Sequence, residues 1–280
     1  MSYIPIDIEE KIKRECKRRR LSPKTIQTYL FWITNFLNWS KKNIQYISKK
    51  DVRLFLEKLS EENKSGSTMN VAHMAIRFLF ENVLEKRMWI DIKYSKIPKR
   101  IQRFLTREEV GKLLNAISNW KHRLMIEFIY GSGLRASELL NLKVKDLNLE
   151  NNFGFVRNGK GGKDRVIIIP FVVREKIKNL IEIENLNDEH FVFVSNRRRK
   201  FNIRTLQKII RNASRKSGLK DFKEIHPPTL RHSFATQLIS NGYDLSQVQG
   251  ILGHKSPETS MIYVHSASPK LISIKSPLDN

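Results

Sequence analysis

The sequence predicts a mostly α-helical protein with a small β-sheet, arranged in two domains. Apolar residues recur at helical spacing through the first hundred residues and again near the C-terminal end. Between them, residues 148–170 have the pattern of a strand, a glycine-rich turn and a second strand. A chain of 280 residues, of which 40% are hydrophobic, is long enough for two ordinary domains with separate cores.

The first domain, residues 1–98, is predicted to be a bundle of helices. One helix begins at Pro23, where Ser22 is placed to act as the N-cap and proline suits the first turn. Two more helices are expected over residues 48–63 and 67–85, because both segments follow capping residues and carry apolar side chains at helical spacing.

A basic linker is predicted at residues 99–105. Pro98 interrupts the preceding helix, and Thr106 is placed to cap a helix that begins at Arg107. The second domain is therefore expected to span residues 106–280.

Two amphipathic helices are predicted near the end of the second domain. Each carries apolar residues at helical spacing, which are Leu230, Phe234, Leu238 and Ile239 in the first and Leu245, Val248, Ile251 and Leu252 in the second.

The charge of the chain indicates a polyanionic partner. Lysine and arginine number 52 against 28 acidic residues, which gives a net charge of +24. This charge suits a DNA-binding protein, but also a ribosomal, RNA-binding or membrane-surface protein. No apolar run approaches the length of a membrane-spanning helix, and no signal-peptide pattern opens the chain. The single cysteine, Cys16, favours a reducing, cytoplasmic setting.

Three residues near the C-terminal end, Arg231, His254 and Tyr263, suggest phosphodiester chemistry. An arginine can hold a phosphate, a histidine can move protons, and a tyrosine hydroxyl can form a covalent link to phosphorus. Each residue taken singly is more typical of a structural position.

The segments around these residues resemble the C-terminal signature of the tyrosine recombinases, the integrase family. LRHSFAT contains Arg231, LGH ends at His254 and IYVH contains Tyr263. Upstream, YGSGLRASELL resembles the first catalytic box of the family and places Arg135 as the first phosphate-binding arginine. Glu138 follows one helical turn later, where a carboxylate can orient the guanidinium.

The glycine-rich turn resembles the hairpin on which the family carries a catalytic lysine. Lys160, in GKGGK, occupies the matching position, and Lys163 in the same turn is the alternative. The turn by itself is equally typical of a solvated hairpin tip.

The resemblance implies a site-specific recombinase that cuts and rejoins DNA through a 3′-phosphotyrosine intermediate. Tyr263 is the implied nucleophile, Arg135 and Arg231 hold the phosphate, Lys160 protonates the leaving 5′ oxygen, and His254 assists proton movement. The implied partners are double-stranded DNA, clamped with the help of a helical core-binding first domain, and further copies of the chain in a tetramer on paired recombination sites. No cofactor or metal is implied, because the covalent intermediate stores the bond energy.

One position departs from the family pattern. The family usually has a histidine three residues before the second arginine, and this chain has Pro228 there. His226 lies two residues earlier and His232 directly follows Arg231. Either His226 takes over the role or the position is unoccupied.

Three interpretations remain open at the level of sequence. The chain is a recombinase that resolves chromosome dimers or integrates mobile elements, a catalytically weakened DNA-binding accessory protein, or a type IB topoisomerase-like nicking and closing enzyme. Pro228 is the feature that supports the accessory protein.

The C-terminal tail carries apolar residues, Leu271, Ile272 and Ile274, that need a surface to bury against. The resemblance implies that this surface belongs to a neighbouring protomer. The alternative is that the tail folds back on its own domain.

Overall fold

The computed structural model describes residues 6–86, 92–96, 103–157, 159, 164–195, 197–253 and 274–279. The chain forms two compact units, Met1–Arg100 and Ile101–Asn280, and each unit has its own hydrophobic core. The linker predicted at residues 99–105 stays a prediction, because most of it lies outside the described residues.

The first unit is helical. Its described residues form α1 (Ile6–Arg18), α2 (Pro23–Ser40), α3 (Lys49–Glu61) and α4 (Gly66–Arg77), with a 3₁₀ helix at Ile44–Tyr46 and a π-helical segment at Phe78–Val83. Helix α2 begins as predicted, because the Ser22 hydroxyl accepts a hydrogen bond from the Thr25 amide at 3.1 Å.

The third predicted helix begins earlier than expected and widens before its end. Helix α4 starts at Gly66 and is capped by Ser65. Beyond it, the amide of Leu84 donates to the carbonyl of Leu79, five residues back, at 3.0 Å, which is the π-helical pattern. The wider turn buries three consecutive apolar side chains, which are Phe78, Leu79 and Phe80.

Aromatic side chains fill the core of the first unit. Phe36 of α2 meets Phe55 of α3 edge to face, with ring centroids 5.3 Å apart, and Phe80 at 6.3 Å. Cys16 is buried as a free thiol in the same core. Among the described residues of the whole chain, no helix is long and apolar enough to cross a membrane.

The second unit combines seven helices with one small sheet in the part of the chain that is described. Its elements are α5 (Arg107–Asn115), α6 (Trp120–Ser132), α7 (Ala136–Asn141), β1 (Leu147–Asn148), β2 (Phe153–Val156), β3 (Arg165–Ile168), α8 (Phe171–Ile183), α9 (Ile203–Lys216), α10 (Pro227–Ser240) and α11 (Leu245–Leu252), with 3₁₀ helices at Val144–Asp146 and Phe222–Glu224. Helix α6 runs through the core, and nearly all of its residues after His122 and Arg123 are buried.

The predicted hairpin is present and forms most of the sheet. The strands lie in the order β1-β2-β3, all antiparallel, and Val156 pairs with Arg165 next to the glycine-rich turn. Side chains alternate across a strand, so Arg165 and Ile167 share one face of β3. That face is buried, and Arg165 is only 5% exposed. The sheet therefore directs a charged side chain into the protein.

The two C-terminal helices form where the apolar spacing predicts them. Leu230, Phe234 and Leu238 of α10 are buried, as are Val248, Ile251 and Leu252 of α11. The expectation was wrong for Ile239 and Leu245, which are 49% and 61% exposed. Both lie close to the turn between the helices, where the packed faces end and solvent begins.

The end of the chain, residues 274–279, folds back on its own unit. Ile274 is buried against α10 and α11, and the Ser276 hydroxyl donates to the carbonyl of Gly131 at 2.7 Å. The expectation that the tail packs into a neighbouring protomer is therefore wrong for Ile274. Leu271 and Ile272 lie outside the described residues.

The Asp279 carboxylate caps helix α8. Its oxygens accept hydrogen bonds from the amides of Phe171 and Val172 at 3.1 and 3.3 Å. These amides belong to the first turn of α8, where no carbonyl of the helix can reach them. The tail thus satisfies two backbone donors of its own unit.

We expect Asp279→Ala to destabilise the second unit by about 1 kcal/mol, the usual worth of a helix cap, and to lower its melting temperature by about 2–4 °C. Truncation after Pro269 removes the same cap together with buried Ile274, so the loss should be larger. Thermal unfolding followed by circular dichroism measures both. Asp188→Ala, which changes an exposed aspartate, is the control. Unchanged melting of the truncated protein would show that the tail does not stabilise the unit.

Candidate active site

Helix α7 fixes the first predicted arginine at its N-terminus. Arg135 is the N-cap residue, and its backbone amide donates to Glu138 Oε2 at 2.8 Å. Its guanidinium Nη1 also donates to Glu138 Oε1 at 2.6 Å. The Glu138 carboxylate therefore both caps helix α7 and orients the Arg135 side chain, and the predicted Arg135–Glu138 pair is present.

Two further guanidinium groups approach the same carboxylate. Arg165 Nη2 donates to Glu138 Oε2 at 2.8 Å, and Arg231 Nη1 lies 3.7 Å from that oxygen. Glu138, Arg165 and Arg231 are 5%, 5% and 9% exposed. One buried carboxylate thus lies among three arginines from α7, β3 and α10.

The C-terminal ends of two helices accept hydrogen bonds from these arginines. The carbonyl of Gly133, just after α6, accepts from Arg231 Nη1. The carbonyls of Ile251 and Leu252, at the end of α11, accept from Arg165 Nη1 and Arg231 Nη2, each at 2.5 Å. A helix C-terminus carries partial negative charge, so these ends stabilise the buried cations.

Glycine is required at both helix ends. Gly133 and Gly253 have φ of +60° and +66°, which L-residues with a Cβ rarely adopt. A Cβ on Gly253 would lie 2.6 Å from Arg165 Cδ, and one on Gly133 would lie 2.5 Å from the ring of Phe234. The two glycines let the helices end against the arginines.

Burial and neighbouring charges shift the pKa values of Glu138 and Arg231. Burial would raise the pKa of Glu138, but the charge of Arg165 and hydrogen bonds from Arg165 and Arg135 lower it to about 2. Burial, with the charges of Arg165 and Arg135, lowers the pKa of Arg231 to about 9, so this arginine stays protonated at neutral pH. The described part of the cluster therefore contains three arginines and one ionised carboxylate, and the partial negative charge of the helix ends also stabilises the arginines.

Two of the three arginines face a cleft of about 450 Å³. Arg135 and Arg231 line it, together with Gln207 of α9 and with Pro228 and His232 of α10, while Arg165 does not. The cleft therefore presents two guanidinium groups, an arrangement suited to a phosphate.

The structure brings together Arg135 and Arg231, which lie far apart in the sequence. The other predicted site residues, Lys160, His254 and Tyr263, and the alternative Lys163, lie outside the described residues. Their assignments therefore stay predictions.

Pro228 stands where the family has a histidine, and His226 does not lie beside it in the cleft. Pro228 lines the cleft, whereas His226 is the exposed N-cap of α10 and is not part of the cleft lining. The His226 ring forms a hydrogen bond with the Thr229 hydroxyl, which also accepts from the His226 amide at 3.3 Å. The histidine that α10 presents to the cleft is His232, half-buried and next to Arg231.

Arg165 is the site residue that sequence reasoning missed. The sequence feature that could have identified it is its place at the start of the apolar strand RVIII, on the same face as the buried Ile167. Strand alternation predicts that face, but only the packed structure shows that Glu138 lies opposite it.

Comparison with known proteins supports this architecture. The profile of the Phage integrase family matches residues 103–269, and that of the phage integrase N-terminal SAM-like domain matches residues 8–90.

The relatives span most of this chain. The tyrosine recombinase XerA of Pyrococcus furiosus is 37% identical over 257 residues, which cover 89% of this chain and 86% of the relative. The tyrosine recombinase XerD of Oceanobacillus iheyensis is 31% identical, covering 90% of this chain and 91% of the relative. The structure of the XerH site-specific recombinase bound to difH substrate before cleavage has a TM-score of 0.69 and 26% identity, covering 94% of this chain and 83% of that chain.

The chain belongs to the phage integrase family and is a tyrosine-type site-specific DNA recombinase. Because these relatives are named as recombinases, they favour recombination over the accessory-protein and topoisomerase interpretations.

We expect Glu138→Gln to lose stability in a pH-dependent way. A carboxylate whose pKa is lowered to about 2 contributes stability above its ordinary pKa of 4.5, and this contribution disappears as the pH falls through 2. The shift corresponds to about 3 kcal/mol. Urea unfolding between pH 2 and 7 should show a stability difference between wild type and variant that shrinks below about pH 4.5.

The exposed Glu182 provides the control for this experiment. Glu182→Gln should leave the pH dependence of stability close to that of the wild type. A stability difference for Glu138→Gln that stays constant over the whole range would contradict the assigned pairing.

Proposed function

We propose that Arg135 and Arg231 hold the scissile phosphate of the recombination site. The observation that carries this proposal is the buried cluster around Glu138, in which these two arginines line one cleft. A phosphodiester is a monoanion, and its charge increases in the pentacoordinate transition state. Two guanidinium groups on non-bridging oxygens would stabilise this increase.

Tyr263 is the proposed nucleophile. Its oxygen attacks the phosphorus and gives up its proton, and the bond from phosphorus to the 5′ oxygen breaks. The products are a 3′-phosphotyrosine ester and a free 5′ hydroxyl. Attack of a 5′ hydroxyl from the partner strand reverses these steps and restores both the phosphodiester and the tyrosine.

Lys160 and His254 are the proposed proton handlers. The leaving 5′ oxygen needs a proton, which Lys160 would donate from the hairpin between β2 and β3. His254 follows helix α11 by two residues, and Arg231 holds the carbonyl of Leu252 at the end of that helix. Arg231 would thereby fix the backbone that leads into His254 as well as bind the phosphate.

Double-stranded DNA is the proposed partner, and four protomers form the proposed active assembly. Exchange between two duplexes breaks four strands, and each chain supplies one nucleophilic tyrosine. The structure of XerH with difH substrate shows one relative bound to DNA. The net charge of +24 supports binding to a polyanion, and the proposed setting is the cytoplasm.

Tyr263→Phe tests the mechanism. This variant lacks one hydroxyl, so it should bind DNA like the wild type and form no covalent protein–DNA complex. Incubation of the wild type with DNA that flanks its gene, followed by sequencing of covalent junctions, identifies the site. A labelled nicked duplex of that sequence then measures covalent attachment on denaturing gels. Full attachment by Tyr263→Phe would assign the nucleophile to another residue, with Tyr243 the next candidate.

Arg135→Lys and Arg231→Lys test the phosphate clamp. Lysine keeps the positive charge but cannot donate the bidentate hydrogen bonds of a guanidinium, so cleavage should fall by about 10²-fold or more. Binding to intact duplex, measured by gel shift, should change little. The control Arg53→Lys alters an exposed arginine of the first unit. A parallel loss of binding and cleavage would make both residues ordinary backbone contacts.

A further inference from the structure

Arg165 has the geometry of a support for Glu138. Its Nη2 donates to Glu138 Oε2 at 2.8 Å, and its Nη1 donates to the carbonyl of Ile251 at 2.5 Å. Nη2 also lies 3.5 Å from the carbonyl of Gly133. Contacts to the ends of α6 and α11 therefore fix the guanidinium, and its other strong contact among the described residues is Glu138.

Arg165 does not reach the cleft itself. It is absent from the cleft lining, and its side chain is 5% exposed, compared with 28% for Arg135. A DNA phosphate in the cleft would thus contact Arg135 and not Arg165. Any effect of Arg165 on the reaction must pass through another residue.

Stability is a weak reason for a charge at this position. Burial of an ion pair costs desolvation of both partners, and apolar residues of similar size are often equally stable. Arg165 Nε is also buried without a hydrogen-bond partner among the described residues, which adds a further cost. A buried charge at this point needs a reason beyond packing.

The reason for a charge at position 165 is that Glu138 must stay ionised. When a phosphate binds Arg135, it competes with Glu138 for the donors of this guanidinium. A second cation that never faces the phosphate keeps the carboxylate ionised and in place while Arg135 is shared. Arg231, at 3.7 Å from Glu138, also faces the cleft and cannot serve in this way.

We propose that Arg165 is a positioning residue that acts on Arg135 through Glu138, keeping this carboxylate charged and oriented while Arg135 holds the phosphate. This inference rests on the proposed role of Arg135 in the preceding subsection. It adds a residue from the β2–β3 hairpin that touches neither DNA nor the reacting atoms.

A double-mutant cycle tests the route through Glu138. The four proteins are the wild type, Arg165→Gln, Glu138→Gln and the double variant, all assayed for single-turnover covalent attachment to the captured nicked duplex. Arg165→Gln should slow attachment by about 10²-fold, as expected for a misplaced binding group. In the Glu138→Gln background the same change should have almost no further effect, because its route of action is already removed.

The pH dependence of attachment separates positioning from general damage. Among the residues that the structure describes, the charged groups that face Glu138 are Arg135 at the start of α7, Arg165 on β3 and Arg231 on α10. Without Arg165 the pKa of Glu138 should rise, so protonation would release Arg135 as the pH falls. Attachment by Arg165→Gln should therefore drop towards pH 5.5 more than attachment by the wild type. The double variant should not show this extra drop.

Arg165→Lys and Arg123→Gln complete the set. Lysine at position 165 keeps a cation beside Glu138 and should recover about tenfold of the lost rate. Arg123 pairs with the buried Glu127 in the same unit at 3.0 Å, away from the cleft. Arg123→Gln should therefore leave both the rate and its pH dependence unchanged.

Losses that multiply in the double variant would overturn the proposal, as would wild-type attachment by Arg165→Gln. A loss that is equal at every pH and unrelieved by lysine would also overturn it. If Arg165→Gln does not fold, the double variant, which removes both buried charges, is compared with Glu138→Gln instead. Equal attachment by these two proteins supports the proposal. A further tenfold loss in the double variant contradicts it.

The assay also distinguishes this proposal from the proposed function. If Arg135→Lys attaches to DNA as fast as the wild type, the phosphate clamp itself is wrong and the role of Arg165 fails with it. If Arg135→Lys is slow and all Arg165 variants are fast, only the positioning role fails.

Discussion

The buried carboxylate of Glu138 is the interaction on which the second unit depends. It caps helix α7, orients Arg135, pairs with Arg165 and lies 3.7 Å from Arg231. These contacts join α7, the hairpin and α10 at one point. Two helix C-termini help a single negative charge to hold three cations there, because they add carbonyl acceptors and partial negative charge.

The same arrangement explains how a stable fold can keep two arginines at the surface of a cleft. Buried cations are costly unless they are paired and hydrogen-bonded. Here Arg135 and Arg231 also line the cleft, where a phosphate can contact both guanidinium groups. The glycines that end α6 and α11 are part of this arrangement, since a side chain at either position would push into Arg165 or Phe234.

The C-terminal tail shows a second dependence of the unit on distant contacts. Ser276 reaches the end of α6, and Asp279 caps α8, more than a hundred residues earlier in the sequence. The apolar residues of the tail indicated that it needs a surface, but not which one. Apolar residues in a short segment indicate that the segment is buried. Which surface covers them depends on which parts of the folded unit lie within reach of the segment.

The sequence by itself determined the helical first unit, the hairpin, the capped starts of α2 and α5, and the positions of Arg135 and Arg231. The elements follow from local rules of periodicity and capping, which involve residues a few positions apart, and the two arginines follow from the resemblance of their motifs to the integrase family. Only the tertiary structure decided that Arg165 enters the cluster, that His226 stays outside the cleft and that Ile274 is buried in its own unit. Each of these depends on contacts between residues from about 25 to more than a hundred positions apart, or on which face of an element is covered. The local sequence around each residue does not show which distant residues it will contact, and the packing of the elements decides this.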